Sequence, residues 1–223
     1  MSNQWLALGL SFLFVLGILG LSTALTKVVK LSTAVSRKIV HISVGHWIIL
    51  AMFVFNDLRF LVVTPIAFIG VNYLSYRYKI FDVMEQDDDS FGTVWYAVSL
   101  FILSAAGFLL EDSGIAIIGI LAMAYGDGFA ALIGQKWGKH KWRVPYENKS
   151  IEGSATMFGL TFLVVVLTNQ VMRGGFSFVE AAWISGIVAL VELMSKKGKD
   201  NLYVPIFAGG FTWFFGTQIM STQ

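Results

Sequence analysis

The chain has no cysteine, three prolines and little charge: Asp, Glu, Lys and Arg make up only 13% of its 223 residues. Without cysteine there can be no disulfide, no thiolate metal site and no cysteine nucleophile. Soluble domains carry roughly 25% charged residues, and a chain with about half that share lacks the polar surface such a domain needs. What it has instead is apolar length. Hydrophobic residues account for 56% of the sequence, gathered in runs that approach the roughly 20 residues of a bilayer-crossing helix. The composition points to an all-α fold, a polytopic transmembrane helical bundle, organised as a single integral-membrane domain over residues 1–223.

Apolar runs place spans near 5–26, 39–55, 58–76, 93–110, 114–134, 154–172, 178–195 and 202–220. Eight is the expected number; a short second run and the Gly209-Gly210 pair in the eighth leave seven as the alternative. The first run has no cation before it and Lys27 and Lys30 after it, the reverse of a secretory signal, so it is expected to remain as the first transmembrane helix. No internal repeat, low-complexity tract or linker divides the chain.

With eight passes the loops alternate between two sides. One side receives Lys27, Lys30, Arg37, Lys38, Arg77, Lys79, Lys136, Lys139, Lys141, Arg143, Lys149, Lys196, Lys197 and Lys199; the other receives only Arg59 and Arg173. Fourteen of the 16 basic residues thus fall on one side, and excess Lys/Arg marks the cytoplasmic face. Both termini are then outside, and a bacterial inner membrane is the expected location. Arg37, Lys38, His41, Asp127, Lys149, Glu152, Glu192, Asp200 and Asn201 all fall on or just below the cytoplasmic face, where a site would meet soluble metabolites and membrane lipids together.

Asp127 is the most unusual of these. In "AYGDGFAALIG" (124–134) it lies about seven residues, or roughly 10 Å, inside the end of the fifth span. Carboxylates at that depth are costly and usually face a polar cavity. It is either a structural partner of a neighbouring helix or part of a site. Gly126 and Gly128 would let another group, or the phosphates of a nucleotide, approach the backbone closely. Gly134 and Gly138 form a GxxxG spacing, which more often signals helix packing. "GDGFAA" also fits a loose dinucleotide fingerprint, but that motif needs a preceding strand, and a membrane helix precedes it here.

The most polar loop is "GKHKWRVPYENKSIEGS" (138–154). Lys149 and Ser150 can bind phosphate oxygens, Glu152 can hold a divalent cation, and free N–H groups at the start of the sixth helix favour an anion. An ordinary positive-inside loop capped by Ser150 or Ser154 accounts for the lysines, though not for Glu152 and Gly153 at the membrane boundary. In "SRKIVHISVGH" (36–46), Arg37 and His41 share a helix face with Lys38 beside them. These cations suit an anion or simply mark topology. His41 titrates near neutral pH and can act as a base; His46, deeper, reads as a hydrogen-bonding partner. "VELMSKKGKDNLYVP" (191–205) brings Glu192, Asp200 and Asn201 as metal ligands or caps. The acidic run "EQDDDS" (85–90) reads as a solvated connector.

These parts together form the kit for phosphoryl transfer, in which positioning and charge neutralisation do most of the work. Carboxylates hold Mg²⁺, with Asp127, Glu152, Glu192, Asp200 and Asn201 as candidate ligands. Cations and helix N-termini hold a polyphosphate. Asp127, Lys38 and His41 are the candidate catalytic residues, with Asp127 either accepting the hydroxyl proton or holding the metal. The acceptor is expected to be a membrane lipid alcohol, with no nucleic-acid partner.

The pieces "RKIVHISVGH" (37–46), "GTVWY" (92–96), "YGDGFAALIGQKWGKH" (125–140), "NKSIEGS" (148–154) and "KDNLYVP" (199–205) resemble the dolichol kinase and phytol kinase family, in the same order and with similar spacing. The resemblance covers nearly the whole chain from Arg37 onward. It implies a multi-span enzyme that moves the terminal phosphate of CTP, or another nucleoside triphosphate, to a long-chain alcohol. It places function on Arg37 and Lys38, on Asp127 and Gly134, and on Lys149, Ser150, Glu152, Gly153 and Ser154, and it matches Asp200 and Asn201 to a late "DN" pair. The chain length favours phytol, farnesol, geranylgeraniol or another prenol over dolichol. A CTP-dependent diacylglycerol kinase and a CDP-diacylglycerol synthase-like cytidylyltransferase are the rival enzymes; "GKDNLYVP" does not reproduce the acidic and basic signature of the latter. A transporter with Asp127 and Glu192 in an ion pathway, or a scaffold without activity, are the readings from other classes; polar residues gathered on one face argue against the first.

Overall fold

The computed structural model describes residues 3–29, 32–78, 91–144 and 149–220. Lys30, Lys79, the acidic run 85–90 and Asn148 lie outside the described residues. Among the described residues the regular structure is helical, with a single bridge between Lys141 and Ser150.

The helices are α1 (Gln4–Val29), α2 (Thr33–Gly45), α3 (Trp47–Val54), α4 (Leu58–Leu61), α5 (Val63–Tyr78), α6 (Gly92–Leu109), α7 (Ser113–Leu121), a π-helical turn (Ala122–Asp127), α8 (Gly128–Trp137), α9 (Ile151–Arg173), α10 (Phe178–Met194) and α11 (Asp200–Met220). Since α2 continues into α3, α4 into α5, and α7 through the π turn into α8, these make eight rods lying on the eight apolar runs of the sequence. Six are long and apolar enough to cross a membrane: Gln4–Leu25, Val35–Val54, Leu58–Tyr78, Gly92–Leu109, Ser113–Trp137 and Ile151–Arg173. The chain is therefore an all-α polytopic helical membrane protein. The remaining two rods are the 17-residue α10 and the 21-residue α11, which carries Pro205 internally.

Short polar side chains start the helices. Ser32, Asp57, Asp112, Ser150 and Ser177 each accept a hydrogen bond from a backbone N–H of the first turn that they cap, groups that otherwise have no partner inside the helix. Gly174 ends α9 in the left-handed conformation at φ 71°, which glycine adopts without a Cβ penalty.

The α7–α8 rod is the core. Every residue from Gly114 to Leu121 is buried, as expected of a helix that is apolar all round. It runs antiparallel to α9: Asp112 at its start bonds Arg173 at the end of α9 (2.7 Å), while Gly134 near its end lies against Ser150 and Gly153 at the start of α9. Against α11, Gly119 approaches so closely that an added Cβ would lie 2.8 Å from the Pro205 carbonyl oxygen and 2.5 Å from Leu103 Cδ1. Small residues permit such helix contacts where no hydrophobic force drives helices together in lipid. Gly119→Ala is accordingly expected to cost about 1–3 kcal/mol through overpacking, read as a lower melting temperature in detergent. An unchanged melting temperature would mean that α11 can move aside.

Hydrogen bonds tie the outer rods to this core. Trp47 Nε1 donates to Ser11 Oγ (2.5 Å), and Ser11 pairs with Thr64 (2.8 Å), joining α3, α1 and α5. At one end of the bundle, Arg173 reaches Asp112 and, at 3.5 Å, the buried Glu180. Lys38, Asp127, Lys149 and Glu192 lie at the other end.

Candidate active site

Asp127 is the last residue of the π-helical turn. A π turn holds one residue more than an α turn, and such bulges are frequent at functional sites. Here it aims a carboxylate at α2. Lys38 Nζ donates to Asp127 Oδ2 at 2.5 Å, and the His41 Nε2 atom is 4.0 Å from the same oxygen. Asp127 is only 6% exposed, so the carboxylate is paired as a buried charge must be.

Each wall of this site has a packing reason. Lys38 and His41 are three apart on α2 and so face the same way. Gly45 admits α2: a Cβ there would meet Ala124 Cβ at 2.6 Å and the Tyr96 hydroxyl at 2.8 Å. Tyr96, from α6, stacks on the His41 ring with centroids 4.2 Å apart and donates its hydroxyl to the His41 carbonyl oxygen (3.1 Å). His41 Nε2 is nonetheless buried with no hydrogen-bond partner in the structure, a state that buried polar atoms rarely keep without a role. His46 is a hydrogen-bonding partner, with Nε2 2.6 Å from the Tyr125 hydroxyl and Nδ1 2.9 Å from the Ile42 carbonyl oxygen.

The loop before α9 folds back through Lys141 and Ser150. Trp142 N donates to Lys149 O and Ile151 N to His140 O, which turns Lys149 inward. Its ammonium bonds Glu192 Oε1 at 2.7 Å and also the Glu192 carbonyl oxygen, and both side chains are 9% exposed. Lys38, His41 and Asp127 therefore form one cluster, and the Lys149–Glu192 pair lies at the same end of the bundle.

Other residues singled out in the sequence stand elsewhere. Glu152 accepts from the backbone N–H groups of Lys139 and His140 and pairs with His140 Nδ1 at 2.8 Å, closing the loop before α9. Ser150 caps α9 by accepting from Gly153 N, and Ser154 Oγ accepts from Trp142 Nε1. Asn201 donates to the Gly92 carbonyl oxygen at 3.0 Å, its Oδ1 is buried without a partner, and Asp200 Oδ1 accepts from Asn201 N. The proposed carboxylate ligands are thus not brought together: among the described residues no three of His, Cys, Asp and Glu are grouped as a metal site would need. The glycines face protein. A Cβ on Gly126 would strike Met157, on Gly128 Ile42, on Gly134 the Ser150 hydroxyl, and on Gly153 the Ala130 carbonyl oxygen. They allow α8, α9 and α2 to pack around Asp127.

Comparison with known proteins gives the family. A phytol kinase of Synechocystis sp. is 37% identical over 221 residues, covering 94% of this chain and 94% of that protein. The chain belongs to the phytol kinase and dolichol kinase family. A probable chloroplastic phytol kinase of Glycine max is 35% identical over 130 residues, 53% of this chain and 42% of its own. A dolichol kinase of Schizosaccharomyces pombe is 34% identical over 92 residues, 41% of this chain and 18% of its own. No family model matches, and no solved structure matches. As a member of this family the protein is a membrane kinase, and Tyr96 is the residue around Asp127 that sequence reasoning left without a role. Its signal was a phenol near the start of a largely apolar span, within the "GTVWY" stretch.

Proposed function

We propose that the protein transfers the terminal phosphate of CTP to a prenol such as phytol, farnesol or geranylgeraniol, at the cytoplasmic face of a bacterial inner membrane. All eight rods cross in this reading, with both termini outside. The observation that carries it is the buried Asp127 carboxylate paired with Lys38 and lying 4.0 Å from His41 Nε2, at the end of the bundle where Lys149 also lies. A site rich in cations around one carboxylate suits a polyphosphate and a hydroxyl that must lose a proton.

The roles follow from position. The alcohol approaches Asp127 from the membrane, and its proton passes to the carboxylate or to His41 Nε2, a buried atom without a hydrogen-bond partner. Lys38 keeps Asp127 ionised and in place. Lys149 and Arg37 supply the charge that holds the polyphosphate, and an incoming phosphate competes with Glu192 for the Lys149 ammonium. Mg²⁺ usually keeps several waters and takes one or two protein carboxylates with the substrate's own phosphates, so one acid is enough. Asp127 fits that need, because Lys38 bonds Oδ2 and leaves Oδ1 to meet a cation. When bound, the ion neutralises charge developing on the phosphoryl oxygens. Ser150, Gly134, Gly153 and Ser154 support the nucleotide site by setting where α9 begins. Glu152, Asp200 and Asn201 act at its margin.

The test is direct. The purified protein is incubated with each of four labelled nucleoside triphosphates and a panel of prenols and diacylglycerol. A prenyl monophosphate with CDP is expected, formation stopping when EDTA removes divalent cations. Release of pyrophosphate instead of CDP would make the protein a cytidylyltransferase, and phosphorylation of diacylglycerol alone would overturn the prenol assignment.

A further inference from the structure

Two side-chain hydrogen bonds join the rod of α2 and α3 to the π turn. One is the Lys38–Asp127 pair. The other joins Tyr125 to His46, the residue at which α2 gives way to α3.

The break between the two helices explains how His46 is held. Its backbone N–H donates to the Ser43 carbonyl oxygen, three residues back, at 3.2 Å. The Ile42 carbonyl oxygen, which a regular α turn would pair with that N–H, takes His46 Nδ1 at 2.9 Å instead. A carbonyl oxygen only accepts, so Nδ1 carries the proton, and in the neutral ring Nε2 is left as the acceptor. The Tyr125 hydroxyl therefore donates to Nε2, at 2.6 Å, with the two rings edge to face at 5.4 Å. Both residues lie within bilayer-length spans, where hydrocarbon offers no water to replace a lost partner.

Position gives this bond its consequence. Tyr125 and Asp127 are two apart on the π turn, whereas Lys38 and His46 are eight apart, roughly 12 Å along the rod. Two contacts so distant on one partner and so close on the other fix the angle of the turn as well as its distance. On its other side Gly126 meets Met157 and Thr161 of α9. The Thr161 hydroxyl is buried without a partner, so that contact is packing alone. Without the Tyr125 hydroxyl, the Lys38–Asp127 pair becomes a single point about which the turn can swivel, and Asp127 shifts against His41 Nε2, which lies 4.0 Å from it.

We propose that His46 and Tyr125 are positioning residues for phosphoryl transfer: their hydrogen bond sets the π turn against the α2–α3 rod so that Asp127 meets Lys38 and His41. The role given to Asp127 rests on the reading above.

The full chain is assayed in detergent–lipid micelles with labelled CTP and phytol, or with whichever pair of the panel above it turns over fastest. Tyr125→Phe, which keeps the ring, should lower kcat about three- to tenfold, the net worth of one neutral hydrogen bond. The nucleotide KM should stay within about twofold, since Glu192 and not α2 holds Lys149. His46→Asn keeps a donor for the Ile42 carbonyl oxygen but no acceptor in the place of Nε2, and should behave like Tyr125→Phe. His46→Gln returns that acceptor and should restore most of the lost rate. Tyr125→Phe/His46→Asn should be no slower than either single variant, because all three lack the same bond. Melting temperatures are read alongside. Variants that keep kcat per folded molecule and lose only melting temperature would reduce the pair to a structural tie and overturn the proposal. A Gln variant as slow as the Asn variant, or an effect confined to nucleotide KM, overturns it too. An inactive Asp127→Asn beside a fully active Tyr125→Phe removes this proposal alone. Normal turnover in Asp127→Asn removes the Asp127 reading along with it, and a chain that turns over no pair of the panel loses the kinase reading and this proposal together.

Discussion

Asp127→Asn is expected to lower turnover by on the order of 10²–10⁴-fold, the range typical of losing a positioned acid or base, while the protein still inserts in the membrane. The amide is close in size but cannot take the hydroxyl proton or hold a divalent cation well. The substitution also leaves Lys38 beside a neutral group. Removing one partner of a buried pair typically costs about 3–5 kcal/mol; with Lys38 19% exposed, the lower end applies. Loss of activity alone would therefore be ambiguous. Lys38→Met/Asp127→Asn resolves it, because replacing both members of a buried pair is often neutral. The double variant should regain thermal stability and remain inactive. Normal turnover in Asp127→Asn, or recovery of activity with recovery of stability, would remove Asp127 from the chemistry.

The second large effect concerns Lys149. Lys149→Ala should raise the nucleotide KM about tenfold or more, as expected on losing a charged hydrogen bond to phosphate, with a smaller change in kcat. It also strands Glu192, which is 9% exposed at its side chain, so the melting temperature should fall. Lys149→Met/Glu192→Gln separates the two effects: stability returns and the raised KM persists. A nucleotide KM unchanged in both variants would reduce Lys149 to a structural tie between the loop before α9 and the end of α10.

Some of this molecule was legible before any coordinates. Apolar runs mark rods because a bilayer-length helix must hide its backbone and present apolar side chains along its whole length, and the eight runs correspond to the eight rods. Capping was equally local: Ser150 was one of two candidates for the start of α9, and it is the cap because its hydroxyl accepts from Gly153 N. The pairing of Asp127 with Lys38 was only half legible. Both residues were candidates for function, but nothing in the sequence says that two residues 89 positions apart meet. That follows from the π turn at Ala122–Asp127 and from Gly45 letting α2 approach.

The carboxylates show the limit most clearly. Asp127, Glu152, Glu192, Asp200 and Asn201 looked alike in sequence, each an acid or amide near the same membrane face, and a shared metal followed naturally. A carboxylate's neighbours depend on the rotation of its helix and on which cation packs opposite, and neither is local. Glu192 faces Lys149, Glu152 faces His140 and the backbone beside it, and Asn201 faces Gly92. By itself the sequence determined the class of fold, the approximate course of the helices and the end of the bundle where charge collects, because hydropathy and capping act within a few residues. Which acid stands among the cations was decided by tertiary packing, because a close approach between helices depends on small residues in both partners at once.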